Sequence, residues 1–129
     1  MSHTILLVDD SPTHRSLIKV FLMGRDCEFV EAGSGEEALE VLDRTHVDLA
    51  IVDVVMPGMS GLDLIRELRL HHDRGVRRVP VVLLTAETDE DLALEGMAAG
   101  ANACLHKPVS SAGVADVVSK LLEPRSEQT

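Results

Sequence analysis

Five side chains with chemical capacity stand in this sequence where an aliphatic run stops. Asp9 and Asp10 follow Ile5 to Val8, Asp53 follows Leu49 to Val52, Thr85 follows Val81 to Leu84, and Lys107 closes the short stretch from Ala103 to His106. Continuous aliphatic runs of this length fit strands of a parallel sheet buried on both faces. Ligands of open α/β sheets bind where such strands end, at their carboxyl edge. Three carboxylates, a hydroxyl and an ammonium therefore gather along one rim.

Two carboxylates about 4 Å apart repel by roughly 4 kcal/mol at an effective dielectric near 20. Such a cluster calls for a cation. Magnesium fits, because it takes oxygen ligands, keeps several waters and prefers one or two carboxylates plus a phosphate to a complete protein cage. No His or Cys is placed by the sequence to make a softer site, which argues against zinc and copper. A strand-end carboxylate can attack phosphorus to give an acyl phosphate, while the metal and a lysine neutralise the charge that builds. The Thr85 hydroxyl could donate to the same phosphoryl oxygens.

The elements that must hold these groups alternate strand and helix five times. Strands are expected at Thr4–Val8, Cys27–Ala32, Leu49–Val54, Val79–Leu84 and Ala103–His106. Ser11 and Pro12 open the first helix, where a cap and a first-turn proline belong, and Leu17, Ile18, Phe21 and Leu22 recur at helical spacing before Gly24. Ser34 opens the second helix with Ala38, Leu39, Val41 and Leu42 largely on one face. Ser60 caps the third, with Leu62, Ile65 and Leu68 inward, fraying near His71, His72 and Asp73. A fourth runs from about Asp89 to Ala99 and stops at Gly100; the last covers about Ser111 to Leu122, before Pro124. Pro80 falls at the start of its strand, where a missing ladder donor is tolerated. Helices between parallel strands imply right-handed crossovers and a sheet covered on both faces.

At 129 residues and 45% hydrophobic composition the chain suits one domain, with a core at about residues 4–122 and a frayed polar tail at 123–129. Twenty-two acids against twelve Lys and Arg give a formal net charge of -10. That balance excludes a phosphate-backbone binder, and the absence of Trp and Tyr removes most platforms for stacking bases. Arg74, Arg77 and Arg78 are read as a helix end and loop. The opening offers only four apolar residues before two acids, so neither a signal peptide nor a membrane anchor is expected, and a cytoplasmic protein follows. Cys27 and Cys104 lack metal spacing and are read as buried free thiols.

The pair Asp9-Asp10 after the first strand, Asp53 followed by Met56-Pro57-Gly58, Thr85-Ala86 after the fourth strand and Lys107-Pro108 after the fifth resemble the receiver domain of two-component response regulators, of the chemotaxis-regulator type. The resemblance spans about residues 4 to 122. It implies a flavodoxin-like, doubly wound α/β fold of five parallel strands in the order 2-1-3-4-5 with five helices. It further implies a phosphoryl group received on Asp53 from a histidine kinase or a His-containing phosphotransfer protein. By the same resemblance Asp10 binds magnesium directly, Asp9 does so through water, and Asp53 and the backbone carbonyl of Val55 complete the protein ligands. Thr85 and Lys107 hold the phosphoryl oxygens with Ala86 beside them, and the Lys107-Pro108 bond is cis. The fourth helix, fifth strand and last helix are the implied face for a downstream protein, on a monomer or weak dimer. With strand order 2-1-3-4-5 the cysteines lie on opposite edges, about 19 Å apart at about 4.8 Å per strand step, beyond the roughly 7 Å a disulfide spans.

Departures from the family pattern carry their own expectations. Three residues before the lysine, where the family usually has an aromatic ring, stands Cys104. A thiol does not sweep the volume of a ring, so either the loop and helix after Thr85 carry the response themselves, or the domain is a poor switch that serves mainly as a phosphoryl carrier. His106 shares a strand face with Cys104 and reads as an exposed strand-end histidine. The aliphatic side chain of Val55 does not orient an attacking water, so self-dephosphorylation is expected to be slow; Glu87 holds the other position that influences it. Glu87, Asp89, Glu90, Asp91 and Glu95 form an acidic patch at the start of the fourth helix that suits its dipole and a basic partner. His71 and His72 sit in the last turn of a helix, with no metal role. The chain reads as a phosphorylation-controlled signalling protein whose only chemistry is self-catalysed phosphoryl transfer and autodephosphorylation. Its alternative is a receiver-like interaction module that works without phosphorylation. A haloacid dehalogenase type of phosphatase is disfavoured by Val55, where a second acid would be required.

Overall fold

The structure, a computed structural model, describes residues 2–85 and 90–122. Five strands form one parallel sheet in the order β2-β1-β3-β4-β5: β1 His3–Val8, β2 Cys27–Ala32, β3 Leu49–Asp53, β4 Val81–Thr85 and β5 Ala103–His106. The helices among the described residues are α1 Pro12–Phe21, α2 Gly35–Arg44, α3 Gly61–Arg69, α4 Arg74–Arg77, α5 Glu90–Ala99 and α6 Ser111–Leu122.

Side-chain alternation along the strands divides the core into two layers. Leu6, Val8, Ala50, Val52, Val81 and Leu83 pack with α2, α3 and the end of α5. Ile5, Leu7, Leu49, Ile51, Val82 and Leu84 pack with α1 and α6 through Ile18, Leu22, Val114 and Val118. Both faces of β3 and β4 are covered, which is why their sequences read as unbroken aliphatic runs. Each of the first three helices starts on a serine or its equivalent cap: Ser11, Ser34 and Ser60 accept the backbone N–H three residues on, and Ser60 and Asp63 form a reciprocal capping box.

Several expectations need correcting. A sixth helix, α4, occupies the arginine-rich stretch; at four residues, capped by Asp73, it is too short for hydrophobic periodicity to reveal. Strand β4 begins at Val81, and Pro80 stands just outside it, lending its carbonyl to the Ala50 N–H at 2.9 Å. Leu17 shares the helical period of Ile18 and Leu22 but is 44% exposed, because its side of α1 faces an open cavity. Leu64, unassigned by the periodicity, is fully buried. The two cysteines are free but only half-buried; burial nonetheless pushes the Cys27 thiol up. The expected starts at Glu87 and Asp89 and the tail at 123–129 lie outside the described residues.

Candidate functional site

The carboxyl ends of β1, β3, β4 and β5 meet as the periodicity requires. Asp9, Asp53 and Thr85 are buried polar residues, with 5%, 4% and 0% of their surfaces exposed. Asp9 follows β1 and is fixed from both directions. Its backbone N–H donates to the Ala32 carbonyl of β2 at 3.1 Å, and its Oδ1 accepts from the Ser11 N–H at 2.9 Å. The guanidinium of Arg15 donates to the Asp9 carbonyl while its Nε donates to Glu31 at 2.8 Å. Asp10, the next residue, is exposed.

Asp53 closes β3, and its backbone cannot retreat. A Cβ added to Gly61 would stand 2.5 Å from the Asp53 carbonyl oxygen, so only glycine lets the start of α3 approach so closely. Lys107 Nζ lies 3.0 Å from Asp53 Oδ1, and the Val55 N–H reaches the same oxygen at 3.5 Å. Oδ2 is left without a hydrogen bond among the described residues. Burial pushes the Asp53 carboxyl above its usual range; the bond from Lys107 opposes this and the charge of Asp9 adds to it. The Lys107 position comes from β5, whose register next to β4 is continued by the Lys107 N–H donating to the Thr85 carbonyl at 2.8 Å. The Lys107-Pro108 bond is cis.

The hydroxyl of Thr85 is engaged sideways, within 3.1 Å of His106 Nδ1 and 3.7 Å of Cys104 Sγ. His106 is exposed as expected, yet it is also a partner of Thr85, which the strand pattern alone does not reveal. Val55 presents an exposed side chain, 70% open. Ala86 lies outside the described residues.

One residue was missed altogether. A ring nitrogen of His14 and one carboxylate oxygen each from Asp9 and Asp53 lie within 4.8 Å of one another, the arrangement of a metal site. His14 Nδ1 stands 3.4 Å from Asp9 Oδ2. The expectation that no His is placed to make a softer site is therefore corrected. His14 is three residues beyond the cap Ser11, in the first turn of α1, so the turn that caps the helix returns its ring over Asp9. The spacing Asp-x-Ser-x-x-His was the available signal. His71, by contrast, pairs with Asp43 at 2.6 Å and stacks on His72, away from the rim. A cavity of about 430 Å³ opens beside the site, lined by Asp9, His14, Leu17, Leu84, Lys107 and Pro108 among others.

A doubly wound sheet with acids, a threonine and a lysine at its carboxyl rim defines a class, and comparison with known proteins agrees. The family profile of the response regulator receiver domain matches residues 5–121, and the chain belongs to that family. It is 37% identical over 122 residues to chemotaxis protein CheY of Pseudomonas aeruginosa, covering 92% of this chain and 95% of that protein. It is 33% identical over 129 residues to the transcriptional regulatory protein SrrA of Staphylococcus aureus, of which it covers 51%. The structure of chemotaxis response regulator CheY4 of Vibrio cholerae matches with a TM-score of 0.85 at 30% identity, over 95% of this chain and 100% of that one. No helix among the described residues is long and apolar enough to cross a membrane.

Proposed function

We propose that Asp53 receives a phosphoryl group from a histidine kinase or a His-containing phosphotransfer protein, and that the phosphorylated chain signals by partner binding or onward transfer. The observation that supports this most is the asymmetry of the Asp53 carboxylate. Lys107 holds Oδ1 at 3.0 Å, the charge of Asp9 acts against the carboxylate, and among the described residues Oδ2 carries no hydrogen bond. That oxygen is the available nucleophile. Its lone pair forms the new bond to phosphorus while the phosphorus–nitrogen bond of the donor imidazole breaks, the electrons leaving with the nitrogen. Lys107 neutralises the charge gathering on the phosphoryl oxygens. The Thr85 hydroxyl, now bonded to His106, turns from it to donate to the same oxygens, with Ala86 adjoining.

The oxygen donors here suit a hard cation with open positions. Magnesium, held in this reading by Asp9, Asp10 and Asp53 and the Val55 carbonyl, supplies charge neutralisation between carboxylate and phosphate when bound. The exposed aliphatic side chain of Val55 offers attacking water no hydrogen bond, so the acyl phosphate is lost slowly. Without an aromatic ring at Cys104, release of His106 by Thr85 and the segment after β4 carry the change toward α5, β5 and α6. Exposed Leu94 and Met97 beside exposed Glu90, Asp91 and Glu95 on α5 suit a partner presenting apolar and basic side chains.

Incubation with acetyl phosphate and magnesium, read by intact mass, tests the reading. One added phosphate that disappears in Asp53→Asn and on chelation of the metal is expected. No increment, or an increment that survives Asp53→Asn, would leave only a phosphorylation-independent interaction module.

A further inference from the structure

We infer that His14 makes this rim a site for divalent first-row transition ions, which it binds through two carboxylate oxygens and an imidazole nitrogen. The inference rests on reading the Asp9–Asp53 rim as a cation site and adds a ligand that magnesium does not need. Proximity, freedom of movement and ligand chemistry carry it. The ligand atoms of Asp9, His14 and Asp53 already lie within 4.8 Å of one another. An ion bound at about 2.0–2.2 Å from each donor brings neighbouring donors to roughly 3.0–3.5 Å of one another, so closure asks the imidazole nitrogen to move by no more than about 2 Å.

The freedom to make that shift lies in the right side chain. Asp9 is pinned at Oδ1 by the Ser11 N–H and Asp53 at Oδ1 by Lys107, so the carboxylates are fixed. His14 is 51% exposed at its side chain, and its contact with Asp9 Oδ2 is only 3.4 Å. Its backbone N–H is bonded to the cap Ser11 at 3.2 Å, which holds the ring's base in place while the ring turns. Asp9 keeps Oδ2 toward His14, and Lys107, 3.0 Å from Asp53 Oδ1, balances part of the carboxylates' charge.

The chemistry then sets the preference. Imidazole nitrogen is a good ligand for cobalt, nickel, copper and zinc, whose affinities rise to copper and fall at zinc, and a poor one for magnesium, which keeps oxygen and water. A site of two carboxylates and one imidazole leaves open positions, where a phosphoryl oxygen or water can sit. His14 is thus a specificity-determining ligand, separating ions that use it from those that ignore it.

Cobalt(II) is the direct probe, since its visible absorption reports nitrogen ligation and the chain has neither Trp nor Tyr to complicate the near-ultraviolet. The whole chain and its His14→Ala and Asp53→Asn variants are titrated with Co²⁺, and separately with Mg²⁺ in competition with a fluorescent chelator. Loss of at least about tenfold in Co²⁺ affinity in His14→Ala, with Mg²⁺ affinity unmoved, is expected; Asp53→Asn weakens both ions. Equal Co²⁺ affinity in the chain and in His14→Ala overturns the inference, whether the ion then sits on other histidines or on carboxylates alone. A parallel fall in Mg²⁺ affinity overturns it too, because His14 would then act only by shaping Asp9. Either failure leaves phosphorylation of Asp53 in magnesium untouched as a separate measurement.

Discussion

Arg69 and Asp53 are charges drawn into opposite ends of one sheet, and the protein treats them differently. Arg69 leaves α3 at the amino-terminal edge, where Val79 leads into β4 and Asn102 into β5. All five of its donors are used. Nε and Nη2 donate to the Gly100 carbonyl at 3.1 and 2.7 Å, Nη1 to the carbonyls of Arg77 and Val79 at 2.8 and 2.7 Å, and Nη2 also to Asn102 Oδ1 at 2.9 Å. Burial pulls its pKa down, but the carbonyl dipoles surround it. Among the described residues Asp53 has one lysine, one long amide contact and an acid for a neighbour. A saturated half-buried charge is a rivet, holding α3, α4 and the starts of two strands together; an unsaturated one leaves an atom able to take a ligand.

The contrast breaks most visibly at Arg69. Replacing it with Met strands the part-buried carbonyls of Val79 and Gly100, and a loss of about 3 kcal/mol is expected. In thermal melts that is a fall of roughly 10 °C. A drop of a degree or two would mean that water or neighbouring amides already satisfy those carbonyls.

Asp53 should respond in the opposite direction. Its folded pKa is raised, so the folded state binds the proton more tightly than the unfolded chain. The penalty is absent below the unfolded pKa, sets in as pH rises between the two values, and is full above the folded one. Asp53→Asn is therefore expected to stabilise the protein at neutral pH by about 1 kcal/mol. Melts at a series of acid pH values should show the gain shrinking as the wild-type carboxyl becomes protonated. A variant less stable than the parent at neutral pH would show that the Lys107 bond outweighs burial.

The smallest effect belongs to Glu31 on the edge strand β2, a carboxylate with two cations. The bond from Lys19 at 2.7 Å and that from Arg15 at 2.8 Å hold its pKa below the usual range. A lowered folded pKa gives stability that is full above the unfolded value and lost as pH falls through the folded one. With a third of its side chain exposed, screening limits the contribution. Glu31→Gln should cost under about 1 kcal/mol at neutral pH, with the difference fading in acid. A cost unchanged across that acid range would assign Glu31 a packing role.

The residues at the carboxyl rim were legible because chemistry interrupts periodicity there. Asp9, Asp53, Thr85 and Lys107 each stop an aliphatic run, and parallel strands must end together. The same logic gave the sheet order only through resemblance to a family, since alternation of strand and helix does not by itself choose neighbours. Arg69 was invisible: its acceptors lie 8 to 33 residues away and four of its five contacts are to backbone carbonyls, which no side-chain pattern marks. His14 was hidden differently. It occupies an ordinary exposed helix position, and only the path of the cap from Asp9 through Ser11 brings its ring back to the rim. Leu17 misled for a related reason, since periodicity identifies a face without saying whether a helix or a cavity lies opposite.

The account turns on where a phosphoryl group is attached. Phosphorylated protein reduced with borohydride converts the acyl phosphate into an alcohol, and peptide mapping by tandem mass spectrometry then locates the altered side chain. Conversion of Asp53 to homoserine, with Asp9 and Asp10 intact, is the predicted result. Conversion at Asp9 or Asp10, or none in a sample that carries phosphate, would contradict it.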